Sequence, residues 1–164
     1  MGRPLKVIDR KEKLTSDVGE ALARVTHDFT SEKDYTDWIV DNKEILQTAV
    51  GLSGGTLHVN KQLSGANIRP DIVMQTADDW HIFEVKLTRH QRRSHSASEQ
   101  FNALGQLFRY GTHIGHTTHL YLVDALITAE MVSVVRKYQL PITLIEFNEE
   151  SLVILPHEAS NASG

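Results

Sequence analysis

The stretch IRPDIVMQTADDWHIFEVKLT, residues 68–88, decides how this chain folds. Residues 68–76 and 80–88 are rich in Ile, Val, Phe, Trp and Thr, and Ala77-Asp78-Asp79 between them is polar, so the stretch predicts two strands joined by a bend. A tight loop centred near Ala77-Asp78 sets Asp71 opposite Glu84. Directly opposed residues share a face of the sheet, with Cβ atoms roughly 4.5–5.5 Å apart. Lys86 lies two residues beyond Glu84 and so points to the same face. Phe83, Val85 and Leu87 point the other way and are expected in the core. A slip of one residue would part the two acids onto opposite faces.

Working outward, a strand over 56–63 precedes the hairpin, with Ser64-Gly65 as its turn. Before it, Gly51-Leu-Ser-Gly-Gly55 ends a helix rather than cradling a phosphate, because the run follows a helix and lacks the Gly-Lys-Ser/Thr ending. That helix starts at Ser31, whose hydroxyl is the expected N-cap with Asp34 three residues on. Tyr35, Trp38, Ile39, Asn42 and Leu46 continue it at helical spacing. After the hairpin, residues 97–110 predict a helix with Phe101, Leu104, Leu107 and Phe108 on one side. The apolar run 119–123 suits a strand covered on both faces. A helix over 128–138 and two strands, 142–147 and 152–155, complete the pattern. The expected class is α/β: a mixed central sheet flanked by helices, in the order α-β-β-β-α-β plus a C-terminal helix and hairpin. One domain over 31–156 follows, with 1–30 as an arm or short helix (weak spacing at Val18, Leu22 and Val25) and 157–164 as a frayed tail.

Composition narrows the function classes. The 164 residues hold 17 Lys+Arg, 21 Asp+Glu, 9 His and no Cys, which excludes disulfides, thiolate metal centres and a Cys nucleophile. There is no apolar run of transmembrane length and the start lacks a secretory signal, so a cytoplasmic chain with no membrane partner is expected. The formal charge of −4 hides a dense basic stretch, Lys86-Leu-Thr-Arg89-His-Gln-Arg92-Arg93. His113, His116 and His119 repeat at three-residue spacing, but Gly115 and the neighbouring threonines argue for a helix-to-strand loop over a zinc site. Trp38 is expected in the core, while Trp80 at the hairpin shoulder is open to base stacking.

Two carboxylates side by side on a ladder repel. Either one keeps a proton, or a divalent cation sits between them; hard oxygen donors suit Mg2+ or Mn2+. With Lys86 beside them, Asp71 and Glu84 form a constellation suited to phosphodiester hydrolysis. The plain alternative is a surface salt-bridge patch.

The same residues resemble the PD-(D/E)xK nuclease superfamily: Pro70-Asp71, a twelve-residue gap, then Glu84-Val85-Lys86. Gln106-Leu-Phe-Arg-Tyr110 resembles the QxxxY motif of the RecB-like and NucS-like branches, and SEKDYTDWIVDNKEIL, from Ser31, resembles the opening helix of the NucS-like nuclease domain. The likeness runs from Ser31 to Asp124. It implies a restriction-endonuclease-like core and metal-dependent DNA cleavage with Mg2+ or Mn2+ as cofactor. By that resemblance Asp71, Glu84 and the Val85 carbonyl are metal ligands, Lys86 is the catalytic lysine, and Gln106 and Tyr110 line the site. Glu32 supplies the helix acid and a further ligand; helix angles favour it, since it lies within roughly 70° of the apolar face whereas Glu44 lies nearly opposite. The segment from Leu87 to Ser96 is longer and more basic than in compact NucS-like domains, and the thirty N-terminal residues are too few for the separate DNA-binding domain those proteins carry, so their substrate preference does not transfer. Arg69, Arg89, Arg92, Arg93 and Arg109 are the expected DNA contacts, and small nucleases of this kind often act as homodimers. The competing expectation is a non-catalytic nucleic-acid-binding or assembly subunit on the same scaffold.

Replacing Arg92 and Arg93 together by Ala is expected to weaken DNA binding and to reduce the slope of log affinity against log salt by about 2. Binding isotherms at several salt concentrations measure it, and an unchanged slope removes the basic stretch from the interface.

Overall fold

The computed structural model describes residues 29–63, 67–88, 93–115, 117–148 and 151–155. Ten elements follow in order: α1 (Glu32–Asp41), α2 (Lys43–Ala49), β1 (Thr56–Val59), β2 (Ile72–Gln75), β3 (Asp79–Lys86), α3 (Arg93–His113), β4 (Thr117–Asp124), α4 (Ala129–Lys137), β5 (Ile142–Asn148) and β6 (Ser151–Ile154). The six strands form one sheet in chain order. The pairs β1/β2, β2/β3 and β5/β6 are antiparallel, and β3/β4 and β4/β5 are parallel. Parallel neighbours need crossovers, and α3 and α4 supply them. The fold is thus α/β with a mixed sheet flanked by four helices.

Side-chain alternation builds the layers. Tyr35, Ile39 and Leu46 of α1 and α2 pack on Ile72, Met74, Phe83, Val85, Tyr121, Val123 and Ile145. Ala103, Leu104, Leu107, Met131 and Val135 of α3 and α4 pack on Val73, Ile82, Leu120, Leu122, Ile142 and Leu144 from the other side. Both faces of β3 and β4 are therefore buried over His81–Val85 and Leu120–Asp124, whereas His119, at the start of the apolar run, stays exposed. No helix among the described residues is long and apolar enough to cross a membrane.

Several boundaries differ from the expectation. The helix expected to run from Ser31 past Leu46 is two helices, because Asn42 leaves helical geometry and both its backbone N–H and its side-chain amide donate to the Trp38 carbonyl. Ser31 does cap α1, accepting from the Asp34 N–H at 3.1 Å, while Asp34 reaches back to the N–H of Thr30 rather than of Ser31. The strand expected over 56–63 stops at Val59, since Asn60 takes a positive φ of 48° and donates its N–H to the Asp71 carbonyl. The strand expected from 68 starts only at Ile72, because Pro70 has no N–H for a ladder; Ile68 instead makes an isolated bridge to Leu63. Helix α3 extends past both expected ends, 97 and 110. Phe29, assigned to the arm, is buried against Tyr35, Trp38 and Phe147 and belongs to the packed unit. The rest of the arm and the tail from 157 lie outside the described residues.

A buried polar knot holds α3 to the sheet. Asp124, at the end of β4, accepts from the Thr88 N–H at 2.7 Å, the Thr88 hydroxyl at 2.5 Å and Gln100 Nε2 at 2.6 Å. Gln100 also donates to the Leu126 carbonyl and accepts from the N–H and hydroxyl of Thr128, the N-cap of α4. A buried acceptor stripped of its partner costs far more than an average hydrogen bond contributes. Gln100→Ala is therefore expected to lower unfolding stability by roughly 2–4 kcal/mol, from the lost partners and the void together. Gln106→Ala, exposed on the same helix, should change it by under about 0.5 kcal/mol. Urea unfolding of the two variants decides the point.

Candidate active site

The β2/β3 register pairs Ile72 with Phe83, so Asp71, one residue ahead of β2, falls opposite Glu84 as expected. The Val85 N–H donates to Asp71 Oδ2 at 2.8 Å, which fixes the Asp71 carboxylate against β3. Glu84 is only 3% exposed because α3 covers this face of the strand. The group is therefore partly buried rather than superficial.

Lys86 collects the acids. Its Nζ lies 3.2 Å from Glu84 Oε1 and 3.2 Å from Glu32 Oε1. Glu32 sits in the first turn of α1, placed there by the Ser31 cap, while Glu44 faces water. From α3, the Tyr110 hydroxyl donates to Glu84 Oε2 at 3.2 Å, so both Glu84 oxygens have partners. Gln106 stands one helical turn before Tyr110 and lines an open groove of about 610 Å³ with Glu32, Lys86, Asn102 and Arg109. A second groove of about 330 Å³, bordered by Asp71, Asn60 and Asp37, meets the first at Glu32. A larger groove of about 660 Å³ is lined by the Gly51–Gly55 turn and Gln75–Ala77, away from these acids, with His58 as its one titratable side chain.

Burial dominates the electrostatics. It pushes the Glu84 carboxyl up to about 7, helped by the neighbouring Asp71 charge and opposed by Lys86 and Tyr110. Asp71 is raised as well, chiefly by burial, against the pull of the Val85 N–H and Lys86. Burial also works against the Lys86 ammonium, but Glu84, Glu32 and Asp71 together outweigh it and hold the lysine above its ordinary value. Burial, then Glu84, raises the Tyr110 phenol. The site is a pair of crowded carboxyls with a firmly charged lysine.

Not every expected residue is brought in. Arg109 lines the groove, whereas Arg69 is exposed and donates to Gln62. Arg89 and Arg92 lie outside the described residues, and Arg93 opens α3 with its side chain undescribed. Val85 is seen to act through its N–H. Trp38 packs edge-on against Phe147, and Trp80, half-buried, has Lys61 Nζ 5.8 Å from its ring centroid. Asn102 and Glu99 on the groove wall were not foreseen, although each lies on the Gln106 side of α3 by helical spacing. Comparison with family models, with characterised proteins and with solved structures gives no match.

An acid whose value is raised on folding keeps a proton that the unfolded chain has released. Stability from Glu84 is thus complete below about 4.5 and lost as pH rises through about 7. Asp124, pushed up to about 6 by burial, acts in the same direction. In buffer free of divalent ions, raising the pH from 4.5 to 8 should remove roughly 3 kcal/mol through Glu84. Glu84→Gln should flatten that part of the profile. Denaturant unfolding at a series of pH values measures it, and parallel profiles for parent and variant would contradict it.

Proposed function

We propose that the chain is a Mg2+- or Mn2+-dependent deoxyribonuclease of the PD-(D/E)xK type, hydrolysing phosphodiester bonds at the Asp71–Glu84–Lys86 site. The observation that carries this reading is the linkage of Glu32, Asp71, Glu84, Lys86 and Tyr110, drawn from α1, from the residue ahead of β2, from β3 and from α3, at the end of one buried strand. The donor set fits a divalent cation: two crowded hard-oxygen carboxyls, each raised above its ordinary value, gain more from a cation than from mutual repulsion. Asp71 and Glu84 would hold it, with the Val85 carbonyl as a further ligand; Glu32, now paired with Lys86, would have to move closer to join them. The chemistry supplied by such an ion is acidification of a water and neutralisation of charge at the phosphorus.

The chain's own residues do the rest. The Val85 N–H and the Tyr110 hydroxyl each fix one carboxyl, so neither has to be ordered when substrate arrives. Lys86, freed from Glu32, carries its ammonium to a phosphate oxygen or the attacking water. Arg109 and Gln106 border the path that a phosphodiester backbone would follow.

One observation favours the second reading, a binding or assembly subunit. Lys86 already lies 3.2 Å from both Glu32 and Glu84, so the charges are partly balanced without any ion. Incubation with plasmid and single-stranded DNA separates the two. With Mn2+ or Mg2+, the enzyme reading expects nicking that falls roughly 100-fold or more in Lys86→Ala and Asp71→Ala, and about 10-fold in Tyr110→Phe. Retention of DNA without metal and without cleavage supports the binding subunit.

A further inference from the structure

A second group of metal-binding side chains lies away from these acids. Parallel pairing of β3 with β4 sets His81 against His119 in register. Their rings stack with centroids 4.6 Å apart and planes 14° from parallel. Asp79, two residues before His81, shares its face, and its Oδ2 lies 3.0 Å from His119 Nε2. One ligand atom from each of the three falls within 4.8 Å of the others, and among the described residues no other three His, Asp or Glu side chains do so. We propose that Asp79, His81 and His119 form a binding site for a transition-metal dication of the zinc class.

The donors choose the ion. Two imidazoles and a carboxylate suit Zn2+, Co2+ or Ni2+, whereas Mg2+ takes oxygen donors. His81 is buried, and its Nδ1 is paired with the Tyr121 hydroxyl at 2.9 Å, leaving Nε2 as its second nitrogen. A ligating histidine held through its other nitrogen is the usual arrangement at protein metal sites. Two ligands of one tetrahedral Zn2+, at bonds of about 2.0–2.1 Å, stand roughly 3.3 Å apart. The Asp79–His119 separation of 3.0 Å is already close to that. The longer span to His81 closes by a turn of His119, whose side chain is 44% exposed and has room to move. Three protein ligands leave the fourth position to water.

The group is distinct from the carboxylate site. His81 lies five residues before Lys86, roughly 16 Å along an extended strand, and shares its face with Phe83, whereas Glu84 points to the other side. A bound ion would tie the hairpin bend to β4, two segments forty residues apart in sequence. Such a tie stabilises the folded chain, because the unfolded chain offers no formed site.

The test is a calorimetric titration of the metal-free full chain with ZnCl2 in excess Mg2+, with CoCl2 in parallel for its visible spectrum. One ion per chain with micromolar or tighter affinity, a four-coordinate Co2+ spectrum and a melting temperature raised by roughly 5–10 °C at a hundredfold excess over Kd are expected. His119→Ala and Asp79→Asn, both at the surface, should each weaken Zn2+ binding at least tenfold, and Tyr121→Phe about tenfold. Glu84→Gln and His113→Ala should leave it unchanged. Binding no tighter than millimolar, or binding that survives His119→Ala and is lost in His113→Ala or Glu84→Gln, overturns the proposal and leaves His119 as a plain ion-pair partner of Asp79.

Discussion

The pairing of Ile72 with Phe83 is the constraint on which the molecule rests. It sends Phe83 and Val85 into one core layer and Ile82 and Glu84 towards the other. It also brings Asp71 against the Val85 N–H, next to Glu84. A slip of one residue would turn Glu84 and Lys86 into the apolar layer under α1 and α2 and take Phe83 out of it, a cost of many kcal/mol by packing and charge together. Register and site geometry are therefore one decision, made by the apolar pattern rather than by the charged residues.

The acids are tolerated because the surroundings share their cost. A carboxylate at 3% exposure has lost most of its hydration. Lys86 returns part of that by Coulomb attraction, and Tyr110 returns part by a hydrogen bond. Neither restores Glu84 to its ordinary acidity, so a strong demand for positive charge remains on this face of β3. Asp124 meets the same difficulty differently, with hydrogen bonds from Thr88 and Gln100 and no cation among its close partners in the described residues. The two buried carboxyls thus differ in what faces them: hydrogen-bond donors alone at Asp124, an ammonium and a phenol at Glu84.

What could be read from the residues was whatever local pattern controls. The hairpin bend at Ala77-Asp78, the Ser31 cap and the helical spacing of Tyr110 and Gln106 each depend on neighbours in sequence, and each leads to its place. Helix angle and the resemblance both favour Glu32 over Glu44, and Glu32 is the one that meets Lys86. The break at Asn42 escaped because it turns on one side-chain amide competing for the Trp38 carbonyl. The His81–His119 pair escaped for a deeper reason: β3 and β4 are parallel and joined by a long helix, so no short loop fixes their register. The histidine spacing at 113, 116 and 119 drew attention to neighbours in sequence, whereas the partner of His119 lies on another strand.

Because the strands are ordered in space as they are along the chain, each one finds its mate among segments already made or next to be made. A polypeptide emerging from a ribosome can lay this sheet down row by row, with no early strand waiting, half-paired and sticky, for a distant latecomer. The segment bearing Asp71 and Glu84 precedes the helix bearing Tyr110 along the chain and leaves the ribosome first. During synthesis those two acids keep their water until that helix docks and dries the strand beneath it.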